Sequence, residues 1–596
     1  MLIPLGQLAL YLALLLGVMA VVLLTVGTFR RDSLAARIGR EALIGSTAMV
    51  LATAAVLVVA LVRCDFRLQY VFQYGSLSQP LVYRISALWA GESGSLLTWT
   101  ALTLLALTSF VVSRPLTRKV AAVGALAALL PLLLLVILTV ESRPFATIPL
   151  QTPTLQAADP APSTETYVYQ VPPNGRELKL QLQTWAMIVH PPLLFAGYAV
   201  LVVPFAIALA NLLGDRLADR LDVLRRYLLV GWTLLTAGIA LGAYWAYVEL
   251  GWGGYWAWDP VENASLVPWL LATAALHTLT VSRRSGRLLR TTLILTIASL
   301  LTCVLATYIT RGGIEESLHA FAKGELTQCY LYFALAAIAA ATVSLVGAWP
   351  GKADGDRPAP SRRVWLMVVV AAVLTAFAAA VFLGTVGPQV LSGLGGPRYQ
   401  ISIEDWNILG AVFGLLMLGV MIAGPWLTGG LRAKGNRVAP LVAHASYVLL
   451  VVAVAGSHIV RDDLTAWFAK GQSADLAGHQ FTYEGVTVSD DAQRSIETIR
   501  AAVTVSRNGR TVAHLSPAHK FNYRTGDQRA EVDLTVGPLQ DLYVSLDPRM
   551  GPDGEALLSV HRTGLVVWLW GATGLMTLAG LAAAWRRSAT PGGEQP

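Results

Sequence analysis

Long apolar runs separated by short polar segments dominate this chain. A helix needs about 20 apolar residues to cross the hydrocarbon core of a bilayer. Thirteen such runs lie at residues 4–28, 42–63, 94–113, 120–141, 190–213, 227–248, 264–282, 291–309, 326–348, 364–385, 406–428, 438–460 and 563–585. The pattern predicts an all-α polytopic membrane protein with about 13 transmembrane helices.

Residues 461–562 follow a different pattern, with polar and apolar residues alternating as in half-buried strands. Residues 501–506 and 511–515 alternate on either side of Asn508-Gly509, a dipeptide typical of a two-residue hairpin turn. The chain is therefore predicted to have three parts: a transmembrane bundle (1–460), a small β-rich domain (461–562), and a final helix with a tail (563–596).

Basic residues in the short loops predict the orientation of the bundle. Cytoplasmic loops of membrane proteins carry an excess of Lys and Arg. With thirteen spans, one face collects the basic loop segments near residues 30–40, 114–119, 216–226, 283–290, 352–363, 432–437 and 586–587. The N-terminus and the β-rich domain are then predicted to be periplasmic, and the C-terminus cytoplasmic. The first run is too long for a signal sequence and lacks a basic start, so we expect a retained span.

Composition agrees with a membrane protein and excludes several other classes. Hydrophobic residues make up 55% of the chain and charged residues 13%. The three cysteines, Cys64, Cys303 and Cys329, form neither a CxxC nor a CxxCH motif. This argues against a disulfide framework, a zinc site or a c-type haem attached to the chain itself. The net charge of +8 comes from the inter-helix loops, so no nucleic-acid partner is predicted.

One loop, residues 251–263, is unusually rich in aromatic residues and glycine; its sequence is GWGGYWAWDPVEN. The glycines disfavour a helix and allow the backbone to approach a large partner closely. The aromatic side chains offer flat apolar faces, which suit a flat ligand with polar edges such as a porphyrin. The alternative is a membrane-interface aromatic belt, but a belt spreads over many helix ends, whereas this run lies in one loop.

This aromatic loop resembles the tryptophan-rich WWD motif of haem-handling membrane proteins. Its extension, residues 259–265 (DPVENAS), resembles the CcmF branch, the haem lyases of the bacterial cytochrome c maturation system. Tyr255 and Ala257 depart from that branch, which commonly carries larger aromatic residues there. The resemblance implies a haem platform formed by Trp252, Gly253, Gly254, Tyr255, Trp256, Trp258, Asp259 and Glu262.

Two histidines lie deep inside predicted spans, where an ionisable residue suggests a function. At 1.5 Å per residue, His277 is about 20 Å and His444 about 24 Å from the outer surface. Two imidazoles at similar depth can ligate one haem iron from both faces, although hydrogen-bonded structural histidines would also fit. The resemblance favours ligation and implies a permanent b-type haem held by His277 and His444.

The remaining histidines lie near the outer surface or in the β-rich domain. His190 precedes two prolines, and His319 lies in the sequence SLHAF. Both contexts resemble the external haem-ligand positions of the family, which implies that they ligate the transferred haem. We expect His458 to be structural, and His479, His514 and His519 to be ordinary surface residues.

The resemblance implies a haem lyase that takes haem from the chaperone CcmE. A CcmH-type partner would present the thiols of apocytochrome c, whose CxxCH motif receives the haem, and quinol is a candidate reductant of the b-haem. The chain has no thiol nucleophile of its own for this reaction, so no catalytic residue is predicted and its role would be positioning. Two alternatives stay open: a haem transporter or chaperone that forms no covalent bond, and a quinol-linked respiratory transport subunit. Such subunits use intramembrane Lys and Glu, which these spans almost lack.

Overall fold

A computed structural model describes residues 1–148, 171–213, 221–311, 328–347, 359–397, 399–428, 438–491, 493 and 495–585. Within these ranges, thirteen helical segments are long and apolar enough to cross a membrane. This confirms the predicted fold class, a polytopic helical membrane protein with a β-domain before its last helix.

Sixteen α-helices occur in the described ranges, and four of them do not form a span alone. The short helices α3 and α4 precede the third span, and α7 and α8 together form one span. The bounds are α1 Leu2–Phe29, α2 Ser33–Val62, α3 Gln69–Tyr74, α4 Leu81–Ser86, α5 Glu92–Val112, α6 Arg118–Ile137, α7 Trp185–Val200, α8 Val202–Leu212, α9 Leu221–Glu249, α10 Pro260–Ser285, α11 Leu289–Arg311, α12 Gln328–Gly347, α13 Arg362–Gly393, α14 Ile403–Thr428, α15 Val438–Ile459 and α16 Val566–Trp585.

Many threonine hydroxyls in the bundle donate to a carbonyl of their own helix. Thr47 donates to the Leu43 carbonyl, Thr100 to Leu96 and Thr233 to Leu229, each four residues back. An unsatisfied polar group in hydrocarbon costs several kcal/mol, and this back-bonding removes that cost. The polar residues in the spans are therefore compatible with a lipid-embedded bundle.

Between α15 and α16 the chain forms a β-sandwich, here called the β-domain. One sheet has the strand order β1-β10-β9-β8 and the other β2-β3-β4-β6-β7, with β5 also paired to β4. The strands are β1 Arg461–Phe468, β2 Ser473–Leu476, β3 His479–Asp491, β4 Ile496–Arg507, β5 Arg510–Leu515, β6 Ala518–Asn522, β7 Gln528–Glu531, β8 Asp533–Thr535, β9 Gln540–Met550 and β10 Ala556–Gly564.

The predicted hairpin at Asn508-Gly509 is confirmed, since β4 and β5 pair around it. Both turn residues have positive φ, 50° and 72°, as a type I′ turn requires. The surface assignment of His479 and His519 is wrong, because both side chains are buried in the β-domain. Each begins or lies in a strand whose alternation points it inward, and the loss of solvent lowers the pKa of both imidazoles.

The β-domain is joined to the bundle without linkers. β1 begins at Arg461, directly after α15, and β10 ends at Gly564, directly before α16. The helices α15 and α16 pack against each other, as do β1 and β10. The Gly564 N–H donates to the Val460 carbonyl at 2.8 Å, so hydrogen bonding continues across the junction.

Candidate functional site

The aromatic loop (residues 251–263) runs from the end of α9 into the first turn of α10. Its two carboxylates accept hydrogen bonds from backbone N–H groups of the same loop. Asp259 is the N-cap of α10 and accepts from the Val261 N–H at 2.7 Å. Glu262 accepts from the N–H groups of Ala257 and Asp259 at 2.9 and 3.0 Å. This capping box, with Pro260 at the first helical position, fixes where the loop ends.

Trp258 anchors the loop to the bundle. Its ring stacks on Trp406 of α14 with centroids 5.4 Å apart, and its indole N–H donates to Asn407 at 2.8 Å. Asn263 donates to the Trp258 carbonyl and to Thr385 of α13. These contacts hold Trp258 at a φ of +57°, a region that costs energy for a residue with a side chain.

The other large side chains of the loop are half-buried. The Trp252 ring folds over Gly254, where a Cβ atom would lie 1.9 Å from ring carbon Cζ3, so only glycine fits. Trp256 lies edge-on to Trp258 with centroids 6.1 Å apart. The Tyr255 hydroxyl bonds to Ser457 of α15 at 2.7 Å, and burial raises the pKa of this phenol to about 12. The loop thus presents partly open aromatic faces on a fixed backbone.

The β-domain covers the loop from the other side. Ser545 donates to the Gly251 carbonyl at 3.1 Å, and Tyr247 donates to Asp541 at 3.1 Å. Burial raises the pKa of Asp541 despite this hydrogen bond. Arg529 of β7 forms an ion pair with Glu249 at 2.8 Å. The loop is therefore enclosed between the bundle and the β-domain.

His190 of α7 lies against α9, the helix that leads into the loop. Its Nδ1 donates to the Gly238 carbonyl at 2.7 Å. A Cβ atom on Gly242 would lie 2.7 Å from the His190 ring, so the glycine permits this close approach. His319, the second predicted external ligand, lies outside the described residues.

His277 of α10 is half-buried and His444 of α15 is exposed; their ring centroids lie 5.9 Å apart, with the ring planes nearly perpendicular. Each Nδ1 donates to the carbonyl four residues earlier, at 2.8 Å to Thr273 and 2.6 Å to Pro440. This leaves Nε2 as the nitrogen not engaged by the helix. A metal bound to both Nε2 atoms through bonds of about 2 Å would separate the centroids by roughly 6 Å, so the spacing suits one shared metal ion.

A hydrogen-bonded tryptophan pair supports His277 from the side of the aromatic loop. Trp232 and Trp269 stack with centroids 6.0 Å apart. Trp232 donates to the Thr273 hydroxyl at 2.8 Å, and that hydroxyl donates to the Trp269 carbonyl. The same Thr273 supplies the carbonyl that orients His277, as outer partners commonly do for metal-ligating histidines.

Sequence reasoning missed several residues around the loop. Trp406 and Trp570 contact it from distant helices; the Trp570 centroid lies 6.2 Å from that of Tyr255. His561 of β10 packs on Gly253, and Arg461 of β1 lies nearby. No local motif marks these residues. The alternation in β10 was the available signal, but it does not say which strand lies opposite.

Comparison with known proteins agrees with this architecture. Residues 88–315 match the family described as Cytochrome C assembly protein, and residues 461–563 match the CcmF C-terminal beta-sandwich. The solved structure of the cytochrome c haem lyase CcmF superposes with a TM-score of 0.76 at 25% identity, covering 98% of both chains.

Two curated relatives are similar over most of their length. The Escherichia coli protein named "Probable cytochrome c-type biogenesis protein NrfE" is 34% identical, over 88% of this chain and 90% of that protein. The cytochrome c-type biogenesis protein CcmF of Pseudomonas fluorescens is 30% identical, over 97% of this chain and 95% of that protein. With both matched regions in their places along a multi-pass helical bundle, this chain belongs to the CcmF family of cytochrome c biogenesis proteins.

Proposed function

We propose that this chain is the haem lyase subunit of a cytochrome c maturation system. In this role it receives haem from the chaperone CcmE and promotes thioether attachment to the CxxCH motif of apocytochrome c. A CcmH-type partner presents the thiols. The observation that carries the proposal is the aromatic loop, whose aromatic faces are partly exposed. Trp258 fixes the loop to the bundle, and Ser545 fixes it to the β-domain.

The loop binds and orients the transferred haem. Trp252 and Trp256 supply apolar contact area, and aromatic side chains bury 150–250 Å² each. Asp259 and Glu262 act on the backbone rather than on the ligand, because their oxygens already accept loop N–H groups. His190 and His319 serve as axial ligands of the transferred haem. Fixing the ligand in this way removes part of the entropic cost of bringing vinyl and thiol together.

A second, permanent haem b is proposed between His277 and His444. Their ring centroids are 5.9 Å apart. In both residues Nδ1 donates to a carbonyl of its own helix, so Nε2 is the nitrogen that can bind the metal. This group would supply electrons that keep the transferred haem ferrous, with quinol as their source. The residues of this chain hold and insulate it: Trp232, Trp269 and Thr273 fill the space toward the aromatic loop.

The loop and β-domain are proposed to face the periplasm, with the N-terminus on the same side. The basic loop residues Arg37, Arg118 and Arg283 belong to segments on the opposite face, which the positive-inside rule assigns to the cytoplasm. Protease added to intact spheroplasts should then cleave the β-domain. Cleavage only after the cytoplasmic face is exposed would contradict this orientation.

The decisive experiment is covalent haem transfer. Purified protein, haem-loaded CcmE and a reduced CxxCH reporter should give a thioether-linked product that survives denaturing gels. Haem binding without this product would indicate a transporter or chaperone. A purified protein with no Soret band would instead favour a transport subunit without haem.

A further inference from the structure

The outer face of the four-stranded sheet lies against the aromatic loop and carries polar side chains on β1 and β10. The register places Arg461 opposite Thr563, and Asp463 opposite His561. Val560 and Leu558, on the opposite side of β10, point into the core of the sandwich. A row of polar side chains on β1 and β10 therefore lies between the β-domain and the loop.

Several polar atoms on this face have no partner within the described residues. His561 is 8% exposed and Thr563 3% exposed, and neither the His561 Nε2 nor the Thr563 hydroxyl has a hydrogen-bond partner there. Buried polar groups are nearly always hydrogen-bonded. Among the residues that the structure describes, Arg461 bonds only through Nε, to Asp463 at 2.9 Å, which leaves its two terminal nitrogens available to a ligand.

Asp463 fixes the orientation of these groups. It accepts from His561 Nδ1 at 2.6 Å and from Arg461 Nε. With Nδ1 occupied, Nε2 points away from the carboxylate. In the imidazolium form both ring nitrogens carry a proton, so Nε2 is then a donor. The arrangement thus holds guanidinium, imidazole and hydroxyl donors in one place.

This place adjoins the aromatic loop. A Cβ atom on Gly253 would lie 2.7 Å from the His561 ring, so the imidazole packs directly on the loop backbone. The Arg461 guanidinium is within electrostatic range of the Tyr247 and Tyr255 phenols. The loop itself contains Asp259 and Glu262 but no Lys or Arg. A cation beside the loop must therefore come from outside it.

We propose that Arg461, His561 and Thr563, here called the polar cluster, bind a carboxylate of the porphyrin on the aromatic loop. The identity of the ligand rests on the proposed function. Porphyrins of the haem type carry two propionates, and a carboxylate leaving water needs charged or donating partners. Arginine is well suited because its terminal N–H groups match a carboxylate geometrically. The β-domain then recognises the charged edge of the ligand while the bundle side of the loop holds its apolar faces.

The test compares two metal-free ligands on the purified full-length protein: protoporphyrin IX and its dimethyl ester. Omitting the metal removes axial ligation, and the ester removes only the negative charges. Quenching of tryptophan fluorescence reports binding. The wild-type protein should bind the free acid more tightly than the ester. Arg461→Gln and His561→Gln should each weaken binding of the acid about tenfold, the effect expected for losing a hydrogen bond to a charged group, and leave the ester unchanged.

Arg549→Gln is the matched control, because Arg549 is an exposed arginine of β9 that pairs with Asp547 on its own strand. It should change neither affinity. Equal binding of acid and ester by the wild type would overturn the carboxylate inference but leave the aromatic platform intact. Weaker binding of both ligands in Arg461→Gln and His561→Gln would also overturn it, by assigning these residues a structural role. Failure of the wild type to bind either porphyrin would contradict the proposed function itself.

Discussion

The histidine pair in the bundle and the polar cluster beside the aromatic loop satisfy their polar atoms in opposite ways. His277 and His444 each bond to a carbonyl of their own helix, and they face each other at 5.9 Å. His561 and Thr563 are buried with atoms that have no partner in the described residues. A pair of imidazoles oriented by their own helices suits a resident ligand, whereas incompletely satisfied groups at an interface suit a ligand that arrives and leaves.

The largest expected effect tests the resident side of this comparison. His277→Ala or His444→Ala should remove nearly all haem from the purified protein, because one imidazole cannot hold a bis-His haem. The measurement is the reduced optical spectrum together with total haem by pyridine haemochrome. His514→Ala, an exposed histidine of β5, should retain full haem. Full haem in both bundle variants would show that the pairing is wrong.

The next effect tests the transient side. Trp252→Ala, Trp256→Ala, His190→Ala and His319→Ala should each lower the yield of haemylated reporter cytochrome about tenfold, through lost contact area or axial ligation. The proposed b-haem should stay, because His277 and His444 hold it away from the loop. Unchanged reporter yield would mean that the aromatic loop is a membrane-interface belt. Loss of both haems would indicate a structural role for the loop.

A smaller effect concerns the contact between loop and β-domain. Gly253 has a φ of +73° and lies against the His561 ring, so Gly253→Ala adds a clash to backbone strain. Gly471→Ala is the control, since Gly471 has a φ of +82° and open space around it. We expect Gly253→Ala to destabilise the protein by about 1–3 kcal/mol more than Gly471→Ala does. The additional change His561→Ala should recover part of that difference, and no recovery would exclude the clash.

The smallest effect concerns two carboxyls on the same sheet face that respond oppositely to pH. Burial opposes ionisation of Asp463, but hydrogen bonds from His561 and Arg461 hold its pKa below the usual value. It therefore stabilises the fold above its unfolded pKa and loses that contribution as pH falls through its folded pKa.

Asp541 has the opposite effect, because burial raises its pKa. Its contribution to stability is present below its unfolded pKa and is lost as the pH rises through its folded pKa. Melting curves should be measured between pH 3 and pH 7 in roughly unit steps. Asp463→Asn should be less stable than the wild type at pH 7 and approach it as the pH falls. Asp541→Asn should gain stability relative to the wild type as the pH rises. Parallel pH profiles for the two variants and the wild type would contradict this assignment.

The bundle could be predicted from sequence because membrane burial leaves a local signal, a run of about 20 apolar residues. The Asn508-Gly509 hairpin is equally local. The pairing of His277 with His444 was predictable in part, since similar depth on two helices brings residues to the same level. Their 5.9 Å separation depends on how α10 and α15 pack, which depth does not specify.

The enclosure of the aromatic loop could not be predicted from sequence. Asp463 and His561 are 98 residues apart, and alternation within a strand does not reveal which distant strand lies opposite. Trp406, 148 positions beyond Trp258 (406 − 258), gives no sign of the stacking that anchors the loop. Contacts of this kind arise from the packing of separate elements, so sequence patterns marked the aromatic loop but not the residues that surround it.

The unbroken passage from α15 into β1, and from β10 into α16, makes the two helices and two strands one stiff stem. His444 lies fifteen residues before the end of α15 at Ile459, about 22 Å along the helix. Arg461 and His561 are mounted at the far end of the same stem. A tilt of the stem that accompanies any change around His444 is therefore transmitted as a lever movement to the groups above the aromatic loop, with no flexible linker to absorb it.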